Sequence, residues 1–229
     1  MKRTYGIAGD GRASAHLRAY FRLLNIPYKL WHSRSGLSPE AALGTCSTVF
    51  ILLSDGAIAR FISANPFLKG KTLIHFSGSL TIKGAFAMHP FMPLASRPLT
   101  LAGYRRLPFA LEEGVRLKTL VPEFCNPVFR VSRREKAYYH ALCALGANLP
   151  VLLWQEALQG LSGRFGIPRA LVQRYFQASL DNFRQDPQRA LSGPISRRDA
   201  RTVAADIKAL GNTSFAEIYS LFAKTYENN

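Results

Sequence analysis

The sequence predicts an α/β chain, with a parallel-sheet amino-terminal domain over residues 1–131 and an all-α domain over residues 132–229. Three observations predict it. The first part alternates short β-rich runs with helical patterns, and beyond about residue 132 only helical patterns remain. A Gly-x-Gly turn where the first strand meets the first helix fits the same βαβ frame.

In order along the chain, residues 4–8 read as a strand, and residues 13–24 follow with Leu17, Tyr20, Phe21 and Leu24 at helical spacing. Residues 28–32 are β-like again, and strand, helix, strand is the order of a parallel sheet. Ser38 caps a short helix that has Pro39 at its first position. Residues 48–53 contain the run V-F-I-L-L, as expected of a central strand buried on both faces, and stop at Ser54-Asp55-Gly56. Asp55 is expected to cap a helix through residue 64 with Ile58, Phe61 and Ile62 on one face. Residues 71–76 form a strand ending in Ser77-Gly78-Ser79, and residues 84–88 form one that stops at His89-Pro90. Residues 108–111 and 128–131 are weaker strand patterns. Helices are predicted over residues 133–159, 168–183, 200–210 and 215–226. Asp199 or Ser196 can cap the third of these, and Ser214 with Glu217 has capping-box spacing before the last, whose Phe215, Ile218, Tyr219 and Phe222 form one apolar stripe.

Composition bounds the function. With 229 residues, 48% of them hydrophobic, the chain has ample core material, so disorder is excluded. Thirty Lys+Arg against 14 Asp+Glu give a formal charge of +16, which points to an anionic partner: a nucleotide, a phosphorylated metabolite, nucleic acid or an acidic lipid surface. The basic residues are dispersed and no helix-turn-helix or RNA-recognition signature is present, which disfavours nucleic acid. The basic start is followed by too short an apolar stretch for an export signal. Residues 141–154 are interrupted by Gly146, Asn148 and Pro150 and fall short of the roughly 18 residues of a spanning helix, so no membrane span is expected. Cys46, Cys125 and Cys143 suit neither a disulfide framework nor a zinc site, and are expected as reduced core or near-core thiols of a cytoplasmic protein without a metal.

The segment Gly9-Asp10-Gly11-Arg12-Ala13 follows a strand and opens a helix. The first glycine permits the tight turn, and the second lets a pyrophosphate reach backbone amides at the helix start. The third position of the fingerprint is Ser14, small enough to pack helix on strand. An acidic residue after the second strand would mark NAD; here stand His32-Ser33-Arg34-Ser35, and Ser33 with Arg34 suits the 2′-phosphate of NADP(H). Ser54 and Asp55, and His75, Ser77 and Gly78, end the next strands of this Rossmann-like frame and are further candidates to line the cofactor crevice. His89 ends a neighbouring strand. His16 and His32 lack such a context and read as surface or packing residues. The turn Ser196-Arg197-Arg198-Asp199 is either a solvated helix start or an anchor for a carboxylate or phosphate, the first being preferred.

Taken together, Gly9-x-Gly11-Arg12, His75-x-Ser77-Gly78-Ser79, Met88-His89-Pro90, Tyr139-His140 with Asn148, and Leu191-Ser192-Gly193-Pro194-Ile195 resemble a bacterial family of reductase-like proteins. Its members pair a Rossmann-like domain with a helical domain of unknown function. The family is related to ketopantoate reductase, pyrroline-5-carboxylate reductase, prephenate dehydrogenase and the 6-phosphogluconate dehydrogenase superfamily. The resemblance spans nearly the whole chain and implies an NADP-type cofactor, a homodimer formed by the helical domains and a cleft between domains, but no particular substrate. The related β-hydroxyacid dehydrogenases carry a catalytic lysine one helical turn before an asparagine; one turn before Asn148 stands Ala144. His140, two turns before Asn148, either replaces that lysine as proton donor or is a core histidine bonded to a carbonyl. His89-Pro90 echoes the His-Pro-Met turn of prephenate dehydrogenases, with Phe91 in place of the methionine.

Three functions compete. The first is an NADP(H)-dependent oxidoreductase acting on a small anionic metabolite, with His140, Asn148 and His89 at the reacting end. The second is a non-catalytic NADP-binding sensor or scaffold, and the third is nucleic-acid binding through the basic surface.

Overall fold

The computed structural model describes residues 3–227, so the start Met1-Lys2 lies outside them. The chain forms two compact units, Met1–Val151 and Leu152–Asn229.

The first unit holds a seven-stranded sheet of order β2-β1-β3-β4-β5-β6-β7. Its elements are β1 (Tyr5–Ala8), α1 (Arg12–Leu23), β2 (Tyr28–Trp31), α2 (Pro39–Leu43), β3 (Thr48–Ile51), α3 (Asp55–Ser63), β4 (Thr72–His75), β5 (Ala85–Pro90), α4 (Leu101–Arg106), β6 (Phe109–Glu112), α5 (Leu117–Leu120) and β7 (Val128–Val131). Strands β1 to β5 are parallel, as the strand-helix order predicts. β6 is antiparallel to β5, and β7 follows it in parallel, so the sheet changes direction once. β1 and β3 are buried along their whole length, which is why both read as apolar runs without alternation.

One face of the sheet packs Phe50, Ile74, Met88, Phe109 and Leu111 against Leu17, Tyr20 and Phe21 of α1. The other packs Ala8, Val49, Ile51 and Leu73 against Leu43 of α2 and Ile58 and Phe61 of α3. On β4, β5 and β6 the residues of this second face are His75, Ala87, His89, Ala110 and Glu112, since successive side chains alternate and His75 pairs with Ala87 and His89 with Ala110. Half of this face is thus apolar and half polar.

Several elements depart from expectation. β5 continues through His89-Pro90 because β6 pairs with both residues. α3 has Ser54 as its N-cap and Asp55 as its first residue, without a side-chain cap, because the Asp55 carboxylate is taken up by Ser77 and Ser79. α4 and α5 were not foreseen; Thr100 caps α4 by accepting the Gly103 N–H. Cys46 is buried and Cys143 half-buried, but Cys125 is exposed; all are free thiols.

The first long helix is one 28-residue run, Lys136–Gly163. It comprises α6 (Lys136–Cys143), a π-turn over Ala144–Asn148 and α7 (Leu149–Gly163). Pro150 has no N–H to give Gly146, and the chain absorbs this with the wide turn, in which Leu149 N–H donates to Ala144 O. The apolar stretch read as interrupted is therefore continuous: by length and composition alone, this helix is long and apolar enough to cross a membrane. The units divide within it, not at residue 132, because α6 packs on the polar half of the sheet through Lys136 and Tyr139.

In the second unit, α8 (Arg169–Gln185), α9 (Ala200–Leu210) and α10 (Ser214–Glu227) follow α7. Asp199 caps α9 through Thr202 N–H, as expected. α10 is capped by Thr213, whose Oγ1 accepts the Ala216 N–H, and Ser214 is already helical. Tyr219 donates to Asp206 at 2.9 Å, tying α10 to α9.

Candidate active site

The order of strands reverses between β1 and β3, and in such sheets ligands bind outside the carboxyl ends of the strands at that point. Gly9 leaves β1 with φ +119°, and a Cβ there would lie 2.3 Å from the Leu52 carbonyl oxygen, so no other residue fits. Around Gly11 nothing stands within 4 Å of a would-be Cβ. Gly11 is the N-cap of α1, makes no side-chain cap, and no acidic residue occupies the first turn. The open approach, free amides and positive helix end fit a pyrophosphate.

Beside this turn lies a cavity of about 580 Å³ lined by Gly9, Asp10, His32, Ser33, Arg34 and Arg60, with Trp31 and Phe61 as its aromatic wall, their rings 5.1 Å apart. Arg34 is exposed and bonds Asp10 Oδ2 at 3.3 Å, while Arg18 holds Asp10 Oδ1 at 3.1 Å. The carboxylate in the turn is thus covered by two guanidiniums. Arg60, on α3, brings a second cation to this cavity; the only signal for it in the sequence is its place on the helix that Asp55 opens, five residues on.

Leu53 lines this cavity and a second one of about 200 Å³, so the two adjoin. The second is lined by Ala13, Asp55, Ser77, Gly78, His89 and His140, among others. Ser77 and Ser79 donate to Asp55 Oδ2 at 2.8 and 3.2 Å, which fixes the β4 turn against the start of α3. The rings of His89 and His140 meet edge to face with centroids 5.8 Å apart. Gly78 makes room for them: a Cβ there would lie 2.6 Å from His140 Cδ2 and 3.1 Å from His89 Nε2. No hydrogen bond among the described residues holds the His140 ring, so it is not the carbonyl-bonded core histidine. His89 Nδ1 is 2.8 Å from the Tyr139 hydroxyl. Burial, then the neighbouring His140 and Lys136, push the His89 pKa down to about 4.

Next to His89 is a small cavity of about 10 Å³, lined by Gly78, Ala87, His89, Glu112, Lys136 and Tyr139 with three apolar neighbours. Lys136 and Glu112 are 4% and 3% exposed and pair at 3.4 Å; Arg133 reaches the other Glu112 oxygen at 2.8 Å from the exposed side. Burial lowers the Lys136 pKa, and Glu112 opposes that. Neither residue was foreseen. Glu112 ends the run Phe109-Ala110-Leu111-Glu112, and Lys136 stands one turn before His140; those placements are the only traces the sequence offers.

The structure therefore gathers Gly9, Asp10, Ser33 and Arg34 at one cavity and Ala13, Asp55, Ser77, Gly78, His89 and His140 at the next. Gly11 and Arg12 form the turn between strand and helix, with Arg12 donating to Leu94 O at 3.3 Å. Three candidates fall outside. Ser54 is the exposed N-cap residue of α3, makes no side-chain cap bond and lines neither cavity. His75 is fully buried because its position pairs with Ala87 inside the sheet; neither ring nitrogen has a partner, and burial pushes its pKa down to about 4. Asn148 is exposed at the end of the π-turn and lines neither cavity. His16 is a packing residue, bonded to Ala95 O and the Tyr104 hydroxyl.

A seven-stranded, mostly parallel sheet with a glycine turn at its switch point and a helical carboxyl-terminal part defines the Rossmann-like class of fold. Residues 111–226 match the domain of unknown function DUF2520, and the chain belongs to that family. Among solved structures, the chain is similar to a protein provisionally described as an NADP oxidoreductase, from Bacteroides fragilis: TM-score 0.81, 14% identity, 100% of this chain and 99% of that one. It is similar to protein TM1727 from Thermotoga maritima, with TM-score 0.70, 20% identity and coverage of 97% and 99%. It is also similar to the pyrroline carboxylate reductase of Plasmodium falciparum, solved with NADP bound, with TM-score 0.58, 15% identity and coverage of 98% and 99%. No curated protein matches. At these identities the likeness is one of fold.

Proposed function

We propose that the protein is an NADP(H)-dependent oxidoreductase that acts on a small anionic metabolite. The observation that carries this reading is the adjoining pair of cavities along the strand ends, one edged by arginines and the other walled by two facing imidazoles. Gly9, Gly11 and the start of α1 would hold the pyrophosphate, Ser33, Arg34 and Arg60 the adenosine 2′-phosphate, and Trp31 with Phe61 the base. The nicotinamide, when bound, supplies or accepts the hydride. His140 and His89, whose rings meet edge to face beside Gly78, would place the reacting atom and handle its proton between them. The NADP bound to the Plasmodium falciparum relative supports the cofactor.

The apolar flank of the helix Lys136–Gly163 exposes Tyr138, Leu142, Leu145, Leu149 and Leu152. A second copy of the chain covers it in this reading, making a cytoplasmic homodimer; lipid is disfavoured because the same helix begins with the buried Lys136–Glu112 pair on the sheet. Light scattering should give twice the chain mass, and a monomer at micromolar protein would remove the dimer. For the activity, calorimetry with NADPH and NADH comes first. NADPH consumption is then followed with a panel of carboxylate-bearing carbonyl and imine compounds, including 1-pyrroline-5-carboxylate and pyruvate. Tight NADPH binding without turnover of any of them would favour a sensor.

A further inference from the structure

His89 is hydrogen-bonded on one side of its ring only. Nδ1 lies 2.8 Å from the Tyr139 hydroxyl, and no hydrogen bond among the described residues engages Nε2. Nε2 lies 3.1 Å from where a Gly78 side chain would begin, and Gly78, His89 and His140 line the 200 Å³ cleft together. The open nitrogen is therefore on the Gly78 side of the ring. Tyr139 does not depend on this bond for its place, because its ring packs with those of Phe91 and Phe129 at centroid distances of 6.2 and 6.0 Å, and these two meet at 5.1 Å. The aromatic cluster holds the phenol, and the hydroxyl adds only a direction.

That direction follows from counting protons. A neutral imidazole has one N–H and a phenol one O–H, and His89 is kept neutral down to about pH 4 by burial and by the neighbouring His140 and Lys136. If Nδ1 carried the ring proton, the Tyr139 O–H would be left with the sulfur of Cys143, one turn along α6, which is a weak acceptor. With Nδ1 bare, the hydroxyl donates to a far better acceptor. The ring proton then stands on Nε2, where the protein offers it no partner.

We propose that Tyr139 is a positioning residue that holds His89 in its Nε2–H form, and that this N–H is the donor for a carbonyl oxygen of the substrate in the cleft. The proposal rests on the reductase reading and deepens it by naming the group that is reduced. As the carbonyl carbon takes the hydride and its electron pair, a C–H bond forms, the π pair of the C=O bond moves to oxygen, and the oxygen then takes one proton from solvent. Negative charge grows on that oxygen, so a fixed N–H aimed at it binds the transition state more tightly than the ground state. A protonated imine gains nothing from such a donor, since its nitrogen has no lone pair to offer. Asp55, the carboxylate that lines the cleft, already accepts the Ser77 and Ser79 hydroxyls and is tied to their turn.

The test begins on the free full-length protein. Long-range nitrogen–proton NMR should find His89 protonated at Nε2 and bare at Nδ1, and in Tyr139→Phe the Nδ1 resonance should move toward that of an unbonded ring nitrogen. An Nδ1–H ring in the wild type, or an unmoved resonance in the variant, overturns the proposal. Turnover is then followed with NADPH and pyruvate, alone and with excess methylamine, which presents the same carbon skeleton as an iminium ion. Pyruvate alone should be consumed at least as fast; a faster rate with methylamine, or tight NADPH binding without turnover of either form, overturns the carbonyl assignment. Tyr139→Phe should lower kcat for pyruvate about tenfold, the scale of one lost hydrogen bond, with NADPH affinity unchanged by calorimetry. Because Tyr139 acts through His89, the same substitution made in His89→Gln should cost nothing further. Full kcat in Tyr139→Phe, or an equal loss in both backgrounds, leaves Tyr139 a packing residue and overturns its positioning role. A wild type that does not bind NADPH sinks the reductase reading instead, and the His89 resonances then decide the role of Tyr139 alone.

Discussion

The two cavities are built on opposite physical terms. At the arginine end the outermost charge sits in water: Arg34 has 80% of its side chain exposed and shares a partly covered Asp10 with Arg18. At the imidazole end the polar groups are enclosed, two of them less than 5% exposed, and each contacts another polar group on a fixed backbone. Screening makes every exposed pair worth little by itself, so nucleotide preference is a sum of small contributions. Enclosure makes each buried group matter singly, because none has water as a substitute partner.

The contrast is broken most sharply at Gly78. Gly78→Ala forces a carbon into the space between His89 and His140, and a displacement of about 1 Å at a reacting centre costs on the order of a hundredfold in turnover. NADPH affinity should stay within about twofold by calorimetry, and parallel loss of both would mean that the two ends are one site. His140→Ala should cost a similar factor in turnover if it places the substrate atom.

The enclosed histidines also set an acid limit. His75 and His89 have folded pKa values of about 4, below the ordinary 6.5, so the unfolded chain binds their protons first as pH falls. The stability they contribute is fully present above about pH 6.5 and is lost on descending toward pH 4, at up to ~1.4 kcal/mol per pH unit for each. Denaturant titrations across that window should show the slope, and His75→Leu should remove about half of it. A flat profile would place both imidazoles in a wetter setting.

Smaller effects belong to the exposed end. Arg34→Ala should weaken NADPH binding about tenfold and leave NADH unchanged, with Arg60 limiting the loss. Asp10→Asn frees Arg34 from a competing carboxylate and should tighten NADPH by about twofold, the worth of an exposed ion pair. An Asp10→Asn protein that binds NADPH more weakly would show that the pair orders the loop instead.

These two ends also differ in how well they can be read from sequence. The nucleotide turn is contiguous: Gly9, Gly11 and Arg34 hold their meaning from spacing along a strand, a helix and a strand. The imidazole end is assembled across the sheet from β4, β5, β6 and α6. His89 was visible as a polar residue at a strand end and His140 as one on a helix two turns before Asn148, whereas Glu112 and Lys136 depend on which face of a four-residue strand turns inward and on how α6 lies over it. His75 looked equivalent to Ser77, but His75 is the last residue of β4 and faces into the sheet, whereas Ser77 lies in the turn beyond it and reaches Asp55. The helix Lys136–Gly163 hid its continuity because Gly146, Asn148 and Pro150 are ordinary breakers, and a π-turn carries the helix through them.

The solitary imidazole of His75 has a consequence for anyone reshaping this protein for industrial use. It is enclosed on every side with neither nitrogen satisfied, a standing deficit that a leucine or methionine of similar bulk would erase. A library screened for heat tolerance alone would shed it early, at no expected expense to the cleft two residues away. Its retention in a library screened for turnover would reveal that selection sees something at this position besides endurance.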